Sequence, residues 1–235
     1  MNFSMISKSA LFRGIAPGEI EAMLHCLQAR TRAYRKGERI YHMGQPVSEV
    51  GVVLAGGVTI ESDDVWGNRT IIDHIGPGQS FAEAYACAPG EPLTVDVVAA
   101  EHCEALFLNT ERVLTSCSSA CAHHNRLVKN LLTVTAQKNL ALTRRMFHLS
   151  PKSIRGKLLS YLSFQAIRQG CYRFEIPFNR QQLADYLGVD RSALSNELSK
   201  MARDGLLSYE RNVFILSERI SVDPGAGNEI GQNVK

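Results

Sequence analysis

Asn179-Arg180-Gln181-Gln182-Leu183-Ala184-Asp185-Tyr186-Leu187-Gly188-Val189-Asp190-Arg191-Ser192-Ala193-Leu194-Ser195-Asn196-Glu197-Leu198 is the stretch on which the reading of the whole chain turns. Asn179 suits an N-cap, because its side-chain oxygen can take an N–H that the first helical turn leaves unpaired. The helix it opens, Arg180 to Leu187, puts Leu183, Ala184 and Leu187 on one face. Gly188 supplies a turn, and Asp190 caps a second helix, Arg191 to Asp204, with Leu194, Leu198 and Met201 turned inward. Two short helices with inward apolar faces and a glycine turn predict a helix-turn-helix. The outer side of the second helix carries Arg191, Ser192, Ser195, Asn196 and Ser199, with Lys200 beside them. A merely solvated face favours the better helix formers Glu, Lys and Gln. Short donors and acceptors near a helix N-terminus, with one Arg among them, suit base edges in the major groove of double-stranded DNA.

Beyond this unit Gly205 stops the second helix. Leu206 to Tyr209 and Val213 to Leu216 then predict a hairpin wing that carries Arg211 at its tip, placed for a phosphate. Upstream, Lys152 to Gln169 reads as a helix ended by Gly170, and Pro151 ends the element before it. That element, Ser119 to Phe147, has no Gly or Pro and spans ~43 Å as a helix. It carries two adjacent apolar rows, so it is expected to face the β domain with one and a second chain with the other. The row Leu127, Leu131, Val134 and Ala141 is assigned to the homodimer seam, with Lys138 at a heptad place weakening or registering it.

Between Ala33 and Leu108 the period changes to short runs rich in Val, Ile, Tyr and Phe, punctuated by Gly and Pro, which indicates an antiparallel sandwich or barrel. A helix is expected over Pro17 to Leu27 and a short one over Asn109 to Thr115. The expected organisation is a sensor domain over 1–118, a dimerisation helix over 119–149, a winged helix-turn-helix over 150–222 and a flexible tail over 223–235.

Composition agrees with this plan. Apolar residues make up 45% of 235, enough to fill real cores. No apolar run is long enough for a membrane span and the N-terminus lacks a secretory pattern, so a soluble cytoplasmic protein without a membrane partner is expected. The six cysteines need no pairing in a chain of this size. Lys plus Arg balance Asp plus Glu at 14 each as far as Phe147, and beyond it they stand at 12 against 9. The excess has the sign a polyanion-binding C-terminal unit requires.

On these residues the chain resembles the Crp/Fnr superfamily of bacterial transcription regulators, from about Leu11 to Ser217. The resemblance implies an α+β protein: an N-terminal antiparallel β-roll of the jelly-roll type, a long dimerisation helix and a C-terminal winged helix-turn-helix. It also implies RNA polymerase as a protein partner. By resemblance, the places of Arg191, Ser192, Ser195 and Asn196 read bases and those of Asn179 and Arg180, with Gln181 beside them, hold the DNA backbone. Many members have Glu at the place of Ser192 and Arg at that of Asn196, so their operator half-sites do not carry over.

Nucleotide-binding members carry a phosphate cassette of Gly-Glu, several residues, then Arg-Ser or Arg-Thr. The stretch from Phe81 to Val95 looks like it, with Glu83 and Thr94 matching, Ala82 in place of Gly and Leu93 in place of Arg. Leucine offers a cyclic phosphate no charge, so cyclic AMP is not expected to bind. The expected effector is another, unidentified small molecule in a pocket walled by Glu83, Tyr85, Leu93, Thr94, Leu127 and Val128. Haem sensing on the same scaffold through His74, Cys87 or Cys103, or redox sensing through the stretch from Cys117 to His124, is the alternative. From a different class, a metalloenzyme would use Cys117, Cys121, His123 and His124; no catalytic motif accompanies them, and neither an enzyme nor a metal site is the expectation.

Overall fold

Glycines mark the strand ends much as the sequence suggests. The structure is a computed structural model that describes residues 3–63, 66, 69–115 and 122–217. Cys117, Cys121, the expected helix boundary at Ser118-Ser119 and the expected tail lie outside the described residues. Strands β1 (Arg30–Tyr34), β2 (Arg39–Tyr41), β3 (Glu49–Ala55), β4 (Val58–Asp63), β5 (Arg69–Ile75), β6 (Ser80–Phe81), β7 (Asp96–Ala99) and β8 (Cys103–Asn109) form two antiparallel sheets, ordered β1-β8-β3-β6 and β2-β7-β4-β5. Helices α1 (Phe3–Ile6), α2 (Pro17–Cys26), α3 (Glu83–Ala86) and α4 (Thr110–Leu114) accompany them. Then follow α5 (Ala122–Leu149), α6 (Ile154–Gln169), β9 (Arg173–Glu175), α7 (Arg180–Leu187), α8 (Arg191–Arg203), β10 (Leu207–Glu210) and β11 (Val213–Leu216).

The α+β class is as expected, but the jelly-roll or β-roll is not. Each sheet is open: β1 and β6 edge one, β2 and β5 the other, and neither closes on itself. Glycine punctuation locates strand ends, whereas closure depends on pairing between distant strands, which no local pattern encodes. Strand β5 shows its edge character, burying only Ile75 of its seven residues.

Contacts divide the chain into two compact units, 1–138 and 139–235, with the division falling inside α5. The first unit has one core shared by both sheets: Val50, Val52, Leu106 and Leu108 from one, Val58, Ile75, Val97 and Ala99 from the other. Phe81, Tyr41 and Phe107 meet edge to face there, with ring centroids 6.0–6.2 Å apart. Strand β3 admits Phe81 because Gly51 lies opposite it, where an added Cβ would meet the ring at 2.1 Å.

Helix α5 closes this core with Leu127 and Leu131, both buried, while Val128 and Val134 pack at its margin. Leu127 and Leu131, expected at a seam between chains, are thus packed within their own unit. Side chains that each contribute about 1.5–3 kcal/mol to their own core are not free to line a second interface. The two rows are adjacent on the helix, and periodicity alone does not say which one the β unit takes. Leu132, Leu142 and Met146 of the other row are exposed. Lys138 likewise turns to its own unit rather than outward, as described below.

The second unit packs α6, α7 and α8 against a three-stranded antiparallel sheet ordered β10-β11-β9. Its core joins Leu158, Leu162, Leu183, Leu187, Leu194, Leu198, Met201 and Phe214. Ser153 caps α6 by accepting from the Gly156 N–H, and Gly170 ends it at φ 67.

Candidate functional site

The helix-turn-helix is built locally, by its caps. Asn179 Oδ1 accepts from the Gln182 N–H at 2.9 Å, and the Asn179 N–H donates back to Gln182 Oε1 at 2.9 Å, a reciprocal box that fixes where α7 begins. Gly188 ends α7 at φ 58, a left-handed conformation that an L side chain adopts only at a cost. Asp190 then accepts from the Ala193 N–H at 2.9 Å and starts α8. Lys157 of α6 donates to the last carbonyl of α7, Leu187 O, at 3.1 Å. Arg155 joins α6 to α8 through Glu197, at 2.6 Å, and Asp204, at 2.8 Å. These bonds place α8 on α6 and α7 with its outer face in solvent.

On that face Arg191, Ser192, Asn196, Ser199 and Lys200 are exposed and Ser195 is half-buried. Ser192 donates to the capping Asp190 at 2.5 Å and Ser199 donates to Ser195 O at 3.0 Å, so both hydroxyls already hold local bonds. Arg191 and Asn196 on this face can each present two hydrogen-bonding atoms to one base edge.

Strands β10 and β11 form the expected wing, joined by the two-residue turn Arg211-Asn212. Arg211 takes φ 52 at the tip, exposed, while Asn212 Nδ2 donates to Glu175 Oε1 at 2.6 Å and moors the tip to β9. Arg180, Arg191 and Arg211 come together around one open cleft of about 680 Å³, with Asn179, Gln181 and Asn212. Among the described residues no carboxylate lines it. Three arginines facing one concavity without an acid attract a polyanion.

Arg180 is not the simple surface cation that its position in the sequence suggests. Its guanidinium lies 4.7 Å from the Tyr209 ring centroid and 5.2 Å from that of Phe214. Burial holds its pKa below the ordinary value, and its buried Nη1 has no hydrogen-bond partner. Tyr209, which the sequence reading passed over, also brings its hydroxyl within 3.4 Å of Ser199 Oγ. The wing thus touches both the start of α7 and the outer face of α8.

Residues 31–119 match the cyclic nucleotide-binding domain family and residues 156–219 the Crp-like helix-turn-helix domain family. The chain belongs to the Crp/Fnr superfamily of DNA-binding transcription regulators. It is similar to the transcriptional activator protein FnrL of Cereibacter sphaeroides, at 24% identity over 195 residues, 76% of this chain and 73% of the relative. Among solved structures it is similar in fold to the c-di-GMP-responsive global regulator CLP of Xanthomonas campestris, with TM-score 0.53 and 19% identity over 86% of this chain and 99% of that one. OCPA-complexed CprK is similar in fold too, with TM-score 0.56 and 14% identity over 83% and 90% of the two chains.

This Crp/Fnr regulator carries an altered cassette in its sensor unit. Ala82, at the place of the family's Gly, sits at φ 62, a left-handed conformation costing an alanine about 1–2 kcal/mol. Glu83 follows it, 3% exposed, and pairs with Lys138 of α5: Nζ is 2.5 Å from Oε1 and also donates to Ser80 O at 2.7 Å. Leu93 is 2% exposed and inside the core. Tyr85 and Thr94 are bound to each other, hydroxyl to hydroxyl, at 2.6 Å. A void of about 10 Å³ lies beside Leu127 and Leu131, about the room of a single water.

Among the described residues no group of three or more His, Cys, Asp or Glu could hold a metal ion. Burial raises the thiol pKa of both Cys87 and Cys103, which disfavours the reactive thiolate. His124 is buried with Nε2 against Val113 O at 2.6 Å, and His123 Nδ1 lies 3.1 Å from Glu19. Among the described residues no helix is long and apolar enough to cross a membrane.

Proposed function

We propose that this regulator is a cytoplasmic homodimer that reads a two-fold operator in double-stranded DNA with α8, and that a small molecule other than cyclic AMP governs it. The observation that carries the DNA reading is the acid-free cleft of Arg180, Arg191 and Arg211 beside the exposed Arg191 and Asn196. In this reading Arg191, Ser192, Ser195, Asn196 and Ser199 face base edges. Asn179, Arg180, Gln181, Lys200 and Arg211 hold phosphates. The dimer forms through the exposed row Leu132, Leu142 and Met146, and two copies present two α8 helices to successive major grooves. Residues 1–118 sense, 119–149 join the two chains, 150–222 bind DNA in contact with RNA polymerase, and 223–235 form a tail.

The case against cyclic AMP rests on the cassette. Leu93 stands where an Arg would meet the phosphate, and Glu83 is engaged by Lys138 within the chain. Selection of an operator from random DNA, with and without cyclic AMP, tests both parts. A palindromic site enriched equally in both arms is expected. Absence of any enriched site refutes the DNA reading, and enrichment that depends on cyclic AMP refutes the effector reading.

A further inference from the structure

A second concavity lies within the C-terminal unit and shares only Pro177 and Phe178 with the lining of the DNA cleft. It measures about 200 Å³ and is walled by the rings of Tyr161, Phe164, Phe178 and Tyr186, contributed by α6, α7 and the segment before α7. Neighbouring rings stand 5.0–6.0 Å apart around it, from Phe178–Tyr186 to Tyr161–Phe178. His148, from the end of α5, forms its floor and is 3% exposed. Its Nδ1 is 3.1 Å from Ser160 Oγ, while its buried Nε2 has no partner. The buried Tyr161 hydroxyl, with Gln165 nearby, likewise makes no hydrogen bond of normal geometry. Exposed Arg144 and Arg168 stand at the mouth, and among the described residues no carboxylate lines the space.

A buried polar atom left without a partner has lost its water and gained nothing in return, so a native site with such atoms calls for something to meet them. The floor asks for a hydroxyl, which satisfies Nε2 in either tautomer. Burial keeps His148 below its ordinary pKa and holds Tyr161 up at about 12, so both are neutral near pH 7. The walls ask for a flat ring, which packs offset or edge-on against aromatic neighbours ~4.5–7 Å away. The mouth asks for an anion, and two arginines suit a planar carboxylate. The volume is below the ~300–1,000 Å³ of drug-sized pockets, which limits the ligand to about one ring with its substituents.

We infer that this cavity is a binding site for a small hydroxylated aromatic carboxylate, carboxylate at Arg144 and Arg168, hydroxyl at His148. The test is calorimetric titration of the full chain with 4-hydroxybenzoate, benzoate and acetate as probes. Saturable binding of 4-hydroxybenzoate is expected, with benzoate weaker and acetate at least about tenfold weaker still. Replacing both surface arginines, Arg144→Gln with Arg168→Gln, should weaken 4-hydroxybenzoate about tenfold or more, since each removes a charged hydrogen-bond donor to the carboxylate. His148→Phe should remove the preference of 4-hydroxybenzoate over benzoate. No saturable binding up to about 10 mM, the weak end of specific affinity, overturns the inference. So does binding undiminished in the arginine double variant, or acetate that binds as well as the aromatic probes. If His148→Phe does not fold, the arginine variant, altered only at exposed positions, decides alone.

Discussion

Replacing Lys138 by Leu is the sharpest test of how α5 is used. Placed in an inter-chain seam, Lys138 would be a defect there, and Leu would tighten the dimer. The structure gives the opposite result. Glu83 is 4% exposed in its side chain and meets Lys138 at 2.5 Å, so Lys138→Leu strands a buried carboxylate. Removing one partner of a fully buried pair costs ~3–5 kcal/mol. The Lys138 side chain is 42% exposed and solvent screens it, so the expected loss is nearer ~2–3 kcal/mol. That lowers the melting temperature of the first unit by roughly 5–10 °C. Thermal unfolding followed by circular dichroism reads it directly. The double variant Glu83→Gln with Lys138→Leu should recover about half of the loss or more, because no ionised group is then left in the core. A single variant that melts with the wild type or above it, or a double variant no more stable than the single, refutes the reasoning.

Other outcomes follow from the same geometry. Met146→Glu and Leu142→Glu put charge on the exposed row of α5 and should shift the protein from dimer to monomer in light scattering, whereas a wild type that is already monomeric at micromolar concentration contradicts the proposed dimer. Burial lowers the pKa of His148 in the folded protein from the ordinary 6.5, so the unfolded chain binds the proton more readily. Stability of the second unit should therefore fall as pH drops from about 6.5 toward that lowered value, and His148→Phe should flatten the fall in denaturant midpoints measured at two pH values. Tyr209→Leu removes the ring beneath Arg180 and the hydroxyl near Ser199, and should weaken cognate DNA binding about fivefold or more; Tyr209→Phe, which keeps the ring, should recover most of it in a mobility-shift titration.

What the sequence makes legible is local chemistry. Asn179, Gly188, Asp190, Pro151 and Gly170 each announce a helix end by a bond or a backbone angle that involves only near neighbours, and each sits where it was expected. Strand β1 is not legible in this way. Arg30, Thr31, Arg32 and Ala33 read as polar chain, only Tyr34 is buried, and the strand exists because β8 pairs with it from about seventy residues away. The same limit explains the sites. Arg191 and Asn196 owe their exposure to the caps of α8 and are readable. That Arg180 rests on two wing rings, that Lys138 reaches Glu83, and that Leu127 rather than Leu132 enters the core all depend on which elements meet. Closure of the sheets is lost to sequence for the same reason.

The central claim is that α8 specifies a base sequence while the wing only holds the duplex, and one comparison tests it most directly. With an operator selected by the purified protein, Arg191→Ala and Arg211→Ala are titrated against it and a scrambled duplex at two salt concentrations. Arg191→Ala should cost ~1–3 kcal/mol on the operator, relax one base pair per half-site and leave scrambled DNA nearly unchanged. Arg211→Ala should weaken both duplexes alike and reduce the salt slope by about one per half-site. Equal losses on operator and scrambled DNA for both variants would make Arg191 a mere electrostatic contact and contradict the assignment of α8 as the reading helix.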